Sequence, residues 1–432
     1  MTLLLAAVVA AASGDTLRLA PGVHPGPLRI ERPTVILGAP GAILRGDGRG
    51  SVLEIRAPGT VVRGLRIEGS GRNMDTDDAG VMVRADSVTL EDLVIRDVLH
   101  GVYLRDVRGV VLRRLDIAGP RGLPESGTGN GIHLFASRAV RVEGNRIADV
   151  RDGMYFDYSD SVVVTGNRVS RVRFGLHYMF SHHNRFDRNV FTDNAAGAVI
   201  MSSRRVVVTD NVFAWNAGSR SYGLVLQTAA APVVRGNLVV GNEVGVFFDN
   251  VIRGEFTGNL VAGNWLGFKL YGNSEGTRVT ENAVVGNTFD ATGGGAEGAY
   301  TFCVAGRGNY WAAAAGRGWD LDGDGVLDAP HQASSPLAEL GLSRGGLRLF
   351  LGSPAARALD WAERTFPVFD VGGAVDPCPL ATPRAPAMLG SLPAAAVASL
   401  GGRGGQQAAG ALALVAGLVV LGTAARKNRR AP

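Results

Sequence analysis

An asparagine returns at a nearly fixed interval through the middle of this chain, at Asn145, Asn167, Asn189, Asn211, Asn237, Asn259 and Asn282. The steps are 22, 22, 22, 26, 22 and 23 residues. Three residues before each stands an apolar side chain: Val142, Val164, Phe186, Val208, Val234, Phe256 and Val279. Two residues after each stands another: Ile147, Val169, Phe191, Phe213, Val239, Val261 and Val284. A fixed period of this size means stacked units, none of which can bury its apolar side chains without a neighbour.

The unit is built from strands. A second cluster in each period starts at a glycine, giving GIHLF, GMYFD, GLHYM, GAVIM, GLVLQ, GVFFD and GFKLY between Gly131 and Tyr271. The first and third residues after the glycine are apolar in nearly every copy, which marks a strand with one buried face. Gly, Asn, Asp and Ser separate the clusters, and no long helical period intervenes. Short strands and tight corners in a period near 22 residues fit one coil of a right-handed parallel β-helix. Stacked asparagines at one corner then bond along the column, as in other amide ladders. Upstream the repeat continues with Leu65, Leu93 and Leu115 at the ladder position and Ile67, Ile95 and Ile117 two later. The expectation is an all-β solenoid of about ten coils over residues 15–310, quasi-one-dimensional and with an ample core. A propeller would need units of about 40 residues and is disfavoured.

The ends carry different information. Residues 1–14 open with MTLLLAAVVAAA and resemble a signal peptide, although a basic residue near the start is missing. Residues 311–380 read as a C-terminal cap with an Asp-rich turn and a short helix at Ala355–Phe366, and 381–407 as a Pro/Ala/Gly-rich linker. Residues 408–425 are uncharged and apolar, long enough to span a bilayer, and Arg426, Lys427, Arg429 and Arg430 in the tail 426–432 hold it on the cytoplasmic side. The chain therefore reads as an exported ectodomain anchored to the cytoplasmic membrane. Four charges of the formal +5 sit in that tail, which excludes a nucleic-acid reading of the net charge. Cys303 and Cys378 suit one disulfide in an oxidising compartment better than a metal site.

If the first and third residues after each glycine face inward, the second and fourth form two outward columns. The first runs Tyr103, His133, Tyr155, His177, Val199, Val225, Phe247, Lys269; the second runs Arg105, Phe135, Asp157, Met179, Met201, Gln227, Asp249, Tyr271. His177 and Met179 are then neighbours on one strand, with Met201 beside Met179 on the next coil. An imidazole and two thioethers suit Cu(I), a soft ion. His182 and His183 in the following turn are further candidate ligands. The competing readings are methionine as packing residue and the aromatic-rich face as a partner-docking surface through His133, Tyr155, Asp157 and Met74. The insertions 69–79, 119–130 and 216–222 all precede the glycine and should crowd one edge beside the columns, where binding loops are expected.

Asp320, Asp322, Asp324 and Asp328, with Gly323 between, resemble the first half of an EF-hand loop and form a candidate calcium site. The glutamate expected at position twelve is replaced by His331. A solvated acidic turn is the alternative.

GNGIHLF, RDGMYFDYS, FGLHYMFS, GRGNYW, DLDGDGVLD and SPAARALDWAERTFP together resemble the NosD family, β-helical maturation factors of nitrous oxide reductase, over roughly residues 15–380. The resemblance implies a non-catalytic extracytoplasmic subunit that works with an ABC-type transporter permease and ATPase, a copper chaperone and the apo-reductase. In that family the protein aids copper delivery to the reductase. The HYM stretch maps onto His177, Tyr178 and Met179, with Tyr178 inward. Family members are typically free periplasmic proteins, whereas this chain reads as carrying its own span, and its cysteine pair is no part of the family motif. The other class to weigh is a polysaccharide lyase, hydrolase or epimerase, or a carbohydrate-binding surface protein. A sugar enzyme needs converging carboxylates, yet Asp157 and Asp249 stand four coils, roughly 19 Å, apart. Asp157 and Asp160 are the best local pair, and a corner role explains Asp160 equally well.

Overall fold

Each coil consists of three short strands joined by sharp corners. The first strand buries only its middle side chain, as in Val111–Arg113, Arg141–Glu143 and Val163–Thr165. The second likewise buries its middle residue, Ile117, Ile147 or Val169, and in Arg146–Ala148 the last residue as well. The third is longer: His100–Arg105, Ile132–Phe135, Asp152–Asp157 and Phe174–Met179. Strands of equal rank pair in parallel, so neighbours within a sheet are three strands apart in chain order. The computed structural model describes residues 14–120, 122–218, 221–316, 318–343 and 373–384, with residues 350, 353–356, 358 and 362. The three sheets hold thirteen, thirteen and twelve strands, so the protein is a parallel β-solenoid of thirteen turns where ten were expected. The early coils, beginning with Thr16–Leu19, Gly22–Pro25 and Leu28–Ile30, lack the asparagine and so escaped the period.

The chain divides into two compact units, 1–207 and 208–432. In the first, every residue placed inward by the period is buried, from Leu65, Leu93 and Leu115 to Val142, Ile147, Val164, Val169, Phe186 and Phe191. The corner between the first two sheets needs a left-handed residue, supplied by Arg114, Gly144 and Gly166 at φ 52°, 62° and 65°. The asparagine that follows turns inward and replaces the backbone pairing lost at the corner. Asn145 Nδ2 donates to Asn167 Oδ1 at 2.8 Å, and Asn167 Nδ2 to Asn189 Oδ1 at 2.9 Å. Asn167 Nδ2 also donates to the Val142 carbonyl at 2.9 Å, while its Oδ1 accepts the Asn145 N–H at 2.9 Å.

In the second unit the ladder runs Asn211, Asn237, Asn259, Asn282 at 2.9–3.0 Å. It extends one coil further to Asn309, at 2.8 Å. Asp376 ends it, accepting the Asn309 N–H at 2.7 Å and Trp311 Nε1–H at 2.8 Å. The Cys303–Cys378 disulfide, expected for an oxidising compartment, forms beside this junction. A parallel ladder unseen in the sequence reading, Asn216–Asn242–Asn264–Asn287, pins the next corner at 2.9, 3.1 and 3.0 Å. Ala338 of the helix Pro336–Ser343 and Ala356 pack on Val244, Leu266 and Phe289, so the described start of the expected 355–366 helix lies against the flank of the coils.

No helix among the described residues is long and apolar enough to cross a membrane. The signal segment up to residue 13, the linker beyond 384, the span 408–425 and the tail 426–432 lie outside them.

Candidate functional site

The third sheet of the first unit carries the two outward columns in the expected register. Tyr103, His133, Tyr155, His177 and Val199 are successive Cα partners, as are Arg105, Phe135, Asp157, Met179 and Met201. Adjacent coils lie about 4.8 Å apart and alternate residues of a strand about 6.6 Å apart, so His177, Met179 and Met201 occupy one ledge. All three are partly exposed. Tyr178 points inward and is buried, its hydroxyl donating to the Ser181 carbonyl at 2.7 Å.

The column is a run of rings in contact. Centroids are 4.2 Å apart for Tyr103–His133, 4.6 Å for His133–Tyr155 and 4.7 Å for Tyr155–His177. Tyr103 is buried although it faces outward, because the 69–79 insertion places Asp77 against Arg105, whose guanidinium covers the Tyr103 and Phe135 rings. Met74, on the same insertion, is 38% exposed.

Alternation counted forward from the glycine missed a third column. Gly153 itself faces the core: a Cβ there would meet Val169 Cγ1 at 2.2 Å. The chain phase therefore resets across each glycine, and the residue before it comes to lie beside the outward columns. His100, Asn130, Asp152 and Phe174 occupy this place. The signal was present in the HG, NG, DG and FG pairs.

Two of these residues hydrogen-bond the Nδ1 atoms of the histidines. Asp152 is 1% exposed and accepts His177 Nδ1–H at 2.9 Å and a two-pronged contact from Arg173 at 2.8 and 2.6 Å. Burial pushes its carboxyl up, but the hydrogen bonds from His177 and Arg173 outweigh that and hold it below the ordinary carboxylate range. In the neutral ring this contact puts the hydrogen of His177 on Nδ1 and the lone pair on Nε2. Asn130 does the opposite: its N–H donates to His100 Nδ1 at 3.0 Å and its side-chain amide to His133 Nδ1 at 3.2 Å. Burial lowers the pKa of His100 to about 4 and that of His133 to about 3, so both rings stay neutral with hydrogen on Nε2. Among these three rings, only His177 presents a lone pair.

Asp157, beside Met179 in the register, has its pKa raised by burial, and its Oδ1 is buried with no hydrogen-bond partner. An orphaned carboxylate oxygen next to an imidazole and two thioethers suits a cation. Asp160 is engaged at the corner, accepting the His182 N–H at 2.7 Å. His182 is half-buried with an unpartnered Nδ1; burial, then Arg204, lowers its pKa. His183 is exposed in a left-handed turn. Both lie around the corner that Phe180 makes after Met179. At that corner Tyr158 and Phe180, 56% and 40% exposed, stack at 5.3 Å in left-handed backbone that bulky residues rarely adopt.

In the cap, ligand atoms of Asp320, Asp322 and Asp324 lie within 4.8 Å of one another. Asp328 does not join that group; its Oδ2 accepts the Leu321 N–H at 2.8 Å and closes the turn. His331 is buried elsewhere, 3.5 Å from Asp290 and against Trp311.

Solved structures share the fold. The catalytic domain of a GH87 α-1,3-glucanase matches with TM-score 0.55 at 14% identity, over 68% of this chain and 65% of that one. The pre-mature bacteriophage phi29 gene product 12 matches with TM-score 0.54 at 13% identity, over 64% of this chain and 46% of that one. The A-module of Azotobacter vinelandii mannuronan C-5 epimerase AlgE6 gives 0.50 at 14% identity, over 66% of this chain and 89% of that one. Similarity at this level speaks for the solenoid alone. Sequence relatives are more specific. A protein of Pseudomonas aeruginosa described as a probable ABC transporter binding protein NosD is 33% identical, over 84% of this chain and 87% of its own length. Its namesake from Stutzerimonas stutzeri is 31% identical over 84% of this chain and 86% of its own length. Residues 116–316, which contain His133, Tyr155 and the His177 ledge, match the family model of the periplasmic copper-binding protein NosD. The chain belongs to the NosD family.

Proposed function

We propose that this protein is a non-catalytic accessory factor that handles copper during maturation of nitrous oxide reductase. Copper is its cargo. Cu(I) is held transiently by His177 Nε2 with the Met179 and Met201 sulfurs, and the orphaned Asp157 oxygen offsets its charge. The observation that carries this reading is the Asp152–His177 hydrogen bond at 2.9 Å. A carboxylate on the far nitrogen is how metal-binding histidines are oriented and made more basic. His182 and His183 extend the ligand set at the corner.

The face around the ledge docks the copper chaperone and the apo-reductase, through His133, Tyr155, Asp157, the exposed Tyr158–Phe180 stack and Met74 of the covering insertion. Association with an ABC-type permease and ATPase is supported by the description of both relatives as probable ABC transporter binding proteins. A periplasmic family description supports an extracytoplasmic protein; segment 1–14 directs its export and segment 408–425 anchors it. The Asp320–Asp322–Asp324 turn takes calcium, with left-handed Gly323 and Gly325 permitting the bend.

Anaerobic Cu(I) titration of the purified protein tests the assignment. One site is expected, lost in the His177→Ala, Met179→Ala double variant; unchanged affinity in that variant removes the ledge as the copper site.

A further inference from the structure

The cap of the second unit ends in an apolar tip that copper handling leaves unused. Trp319 is 74% exposed and Leu321 81%, the most open large apolar side chains among the described residues. They alternate with Asp320 and Asp322 on one turn whose shape is fixed by its own hydrogen bonds. Asp320 accepts the N–H of Gly323 at 2.8 Å and of Gly325 at 3.0 Å. The Asp328 N–H donates to the Trp319 carbonyl at 2.9 Å. A bound-up turn that holds an indole and a leucine in water is presenting them.

What they meet follows from the path of the chain. The segment 373–384 runs along this turn: Leu327 N–H donates to the Pro379 carbonyl at 2.7 Å and Ala381 N–H to the Gly325 carbonyl at 3.0 Å. Arg384 then reaches Glu281 at 2.9 Å. After it the sequence continues through the linker to residue 407, the apolar stretch 408–425 and the basic tail 426–432. The stretch 385–407 spans at most roughly 80 Å even when fully extended. The tip and the root of the tether therefore share one end of the unit, within reach of the bilayer.

We propose that Trp319 and Leu321 rest in the headgroup layer of the membrane, a second lipid contact beside the C-terminal span. The inference rests on the anchor reading given above. Indole rings favour this layer, where one edge is wet and the body apolar. The four aspartates of the turn decide which lipid. Zwitterionic headgroups accept the tip, anionic headgroups repel it, and calcium bound by the turn lifts that repulsion.

The full chain in liposomes provides the test. Flotation reads the anchor, and the difference in tryptophan emission between the native protein and Trp319→Phe isolates one ring. In phosphatidylcholine, Trp319 emission is expected to shift to the blue, to be lost to a headgroup-level doxyl lipid and to resist aqueous acrylamide. Adding phosphatidylglycerol should reverse these changes, and calcium should restore them. A chain that floats while Trp319 stays open to acrylamide keeps the anchor and overturns the contact. A chain that does not float removes both. Trp319 is exposed, so its substitution leaves folding intact.

Discussion

Asp152 and His177, one coil apart and 25 residues apart in sequence, share a hydrogen bond of 2.9 Å that fixes which imidazole nitrogen faces the ledge. Arg173 holds the other side of the same carboxylate. In the proposed copper site Asp152 is thus a positioning residue that acts through His177.

Replacing it should weaken copper binding without removing the ligands. Asp152→Asn is expected to lower Cu(I) affinity by about 10–100-fold, less than His177→Ala. Competition against a chromophoric Cu(I) chelator measures both. Equal affinity in Asp152→Asn and the native protein would show that the carboxylate serves only Arg173.

The asparagine ladder should be costly to interrupt. Asn167 is fully buried and satisfies the Val142 carbonyl and the Asn145 N–H while bonding Asn189. Asn167→Ala leaves those backbone groups unpaired in the core, at a cost of about 2–4 kcal/mol. Urea unfolding reads this, with Arg168→Ala, at an exposed position of the same coil, as a control expected to change little.

Stability should fall in acid through His100. Its pKa is depressed from 6.5 to about 4 by burial, partly opposed by Asp78. A depressed imidazole leaves the unfolded chain binding more protons between those values. Its contribution is complete above pH 6.5 and is lost as pH falls toward 4. The loss is up to about 3 kcal/mol. His133 adds to the same slope further down. Urea midpoints from pH 7 to 4 should decline less steeply in His100→Gln; parallel declines would exclude the ring as their source.

Removing the disulfide should loosen the far end of the ladder. Cys303 and Cys378 close a loop of 75 residues and bring Asp376 to Asn309. Cys378→Ser is expected to cost about 2–4 kcal/mol. It should also speed hydrogen exchange at the Asn309 and Trp311 Nε1 protons, and unchanged protection there would show that the cap holds itself.

The sequence by itself determined the solenoid, its inward residues and the register of the two outward columns. These follow from spacing within one coil, and parallel stacking copies that spacing to the next. Pairing His177 with Met179 and Met201 needed nothing more. The disulfide was legible because two cysteines in an exported chain have few alternatives. Tertiary structure alone decided what surrounds those positions. Asp152 and Asn130 reached the site because each glycine turns inward against a valine or isoleucine of the neighbouring sheet, which shifts the phase of the strand. Tyr103 and His100 became buried because insertions fold back over them, and no period describes an insertion. Asp328 stands apart from the other three aspartates because its carboxylate closes the turn onto the Leu321 N–H. Contacts made once, between unlike segments, leave no repeat to read; the contacts that recur at every coil do.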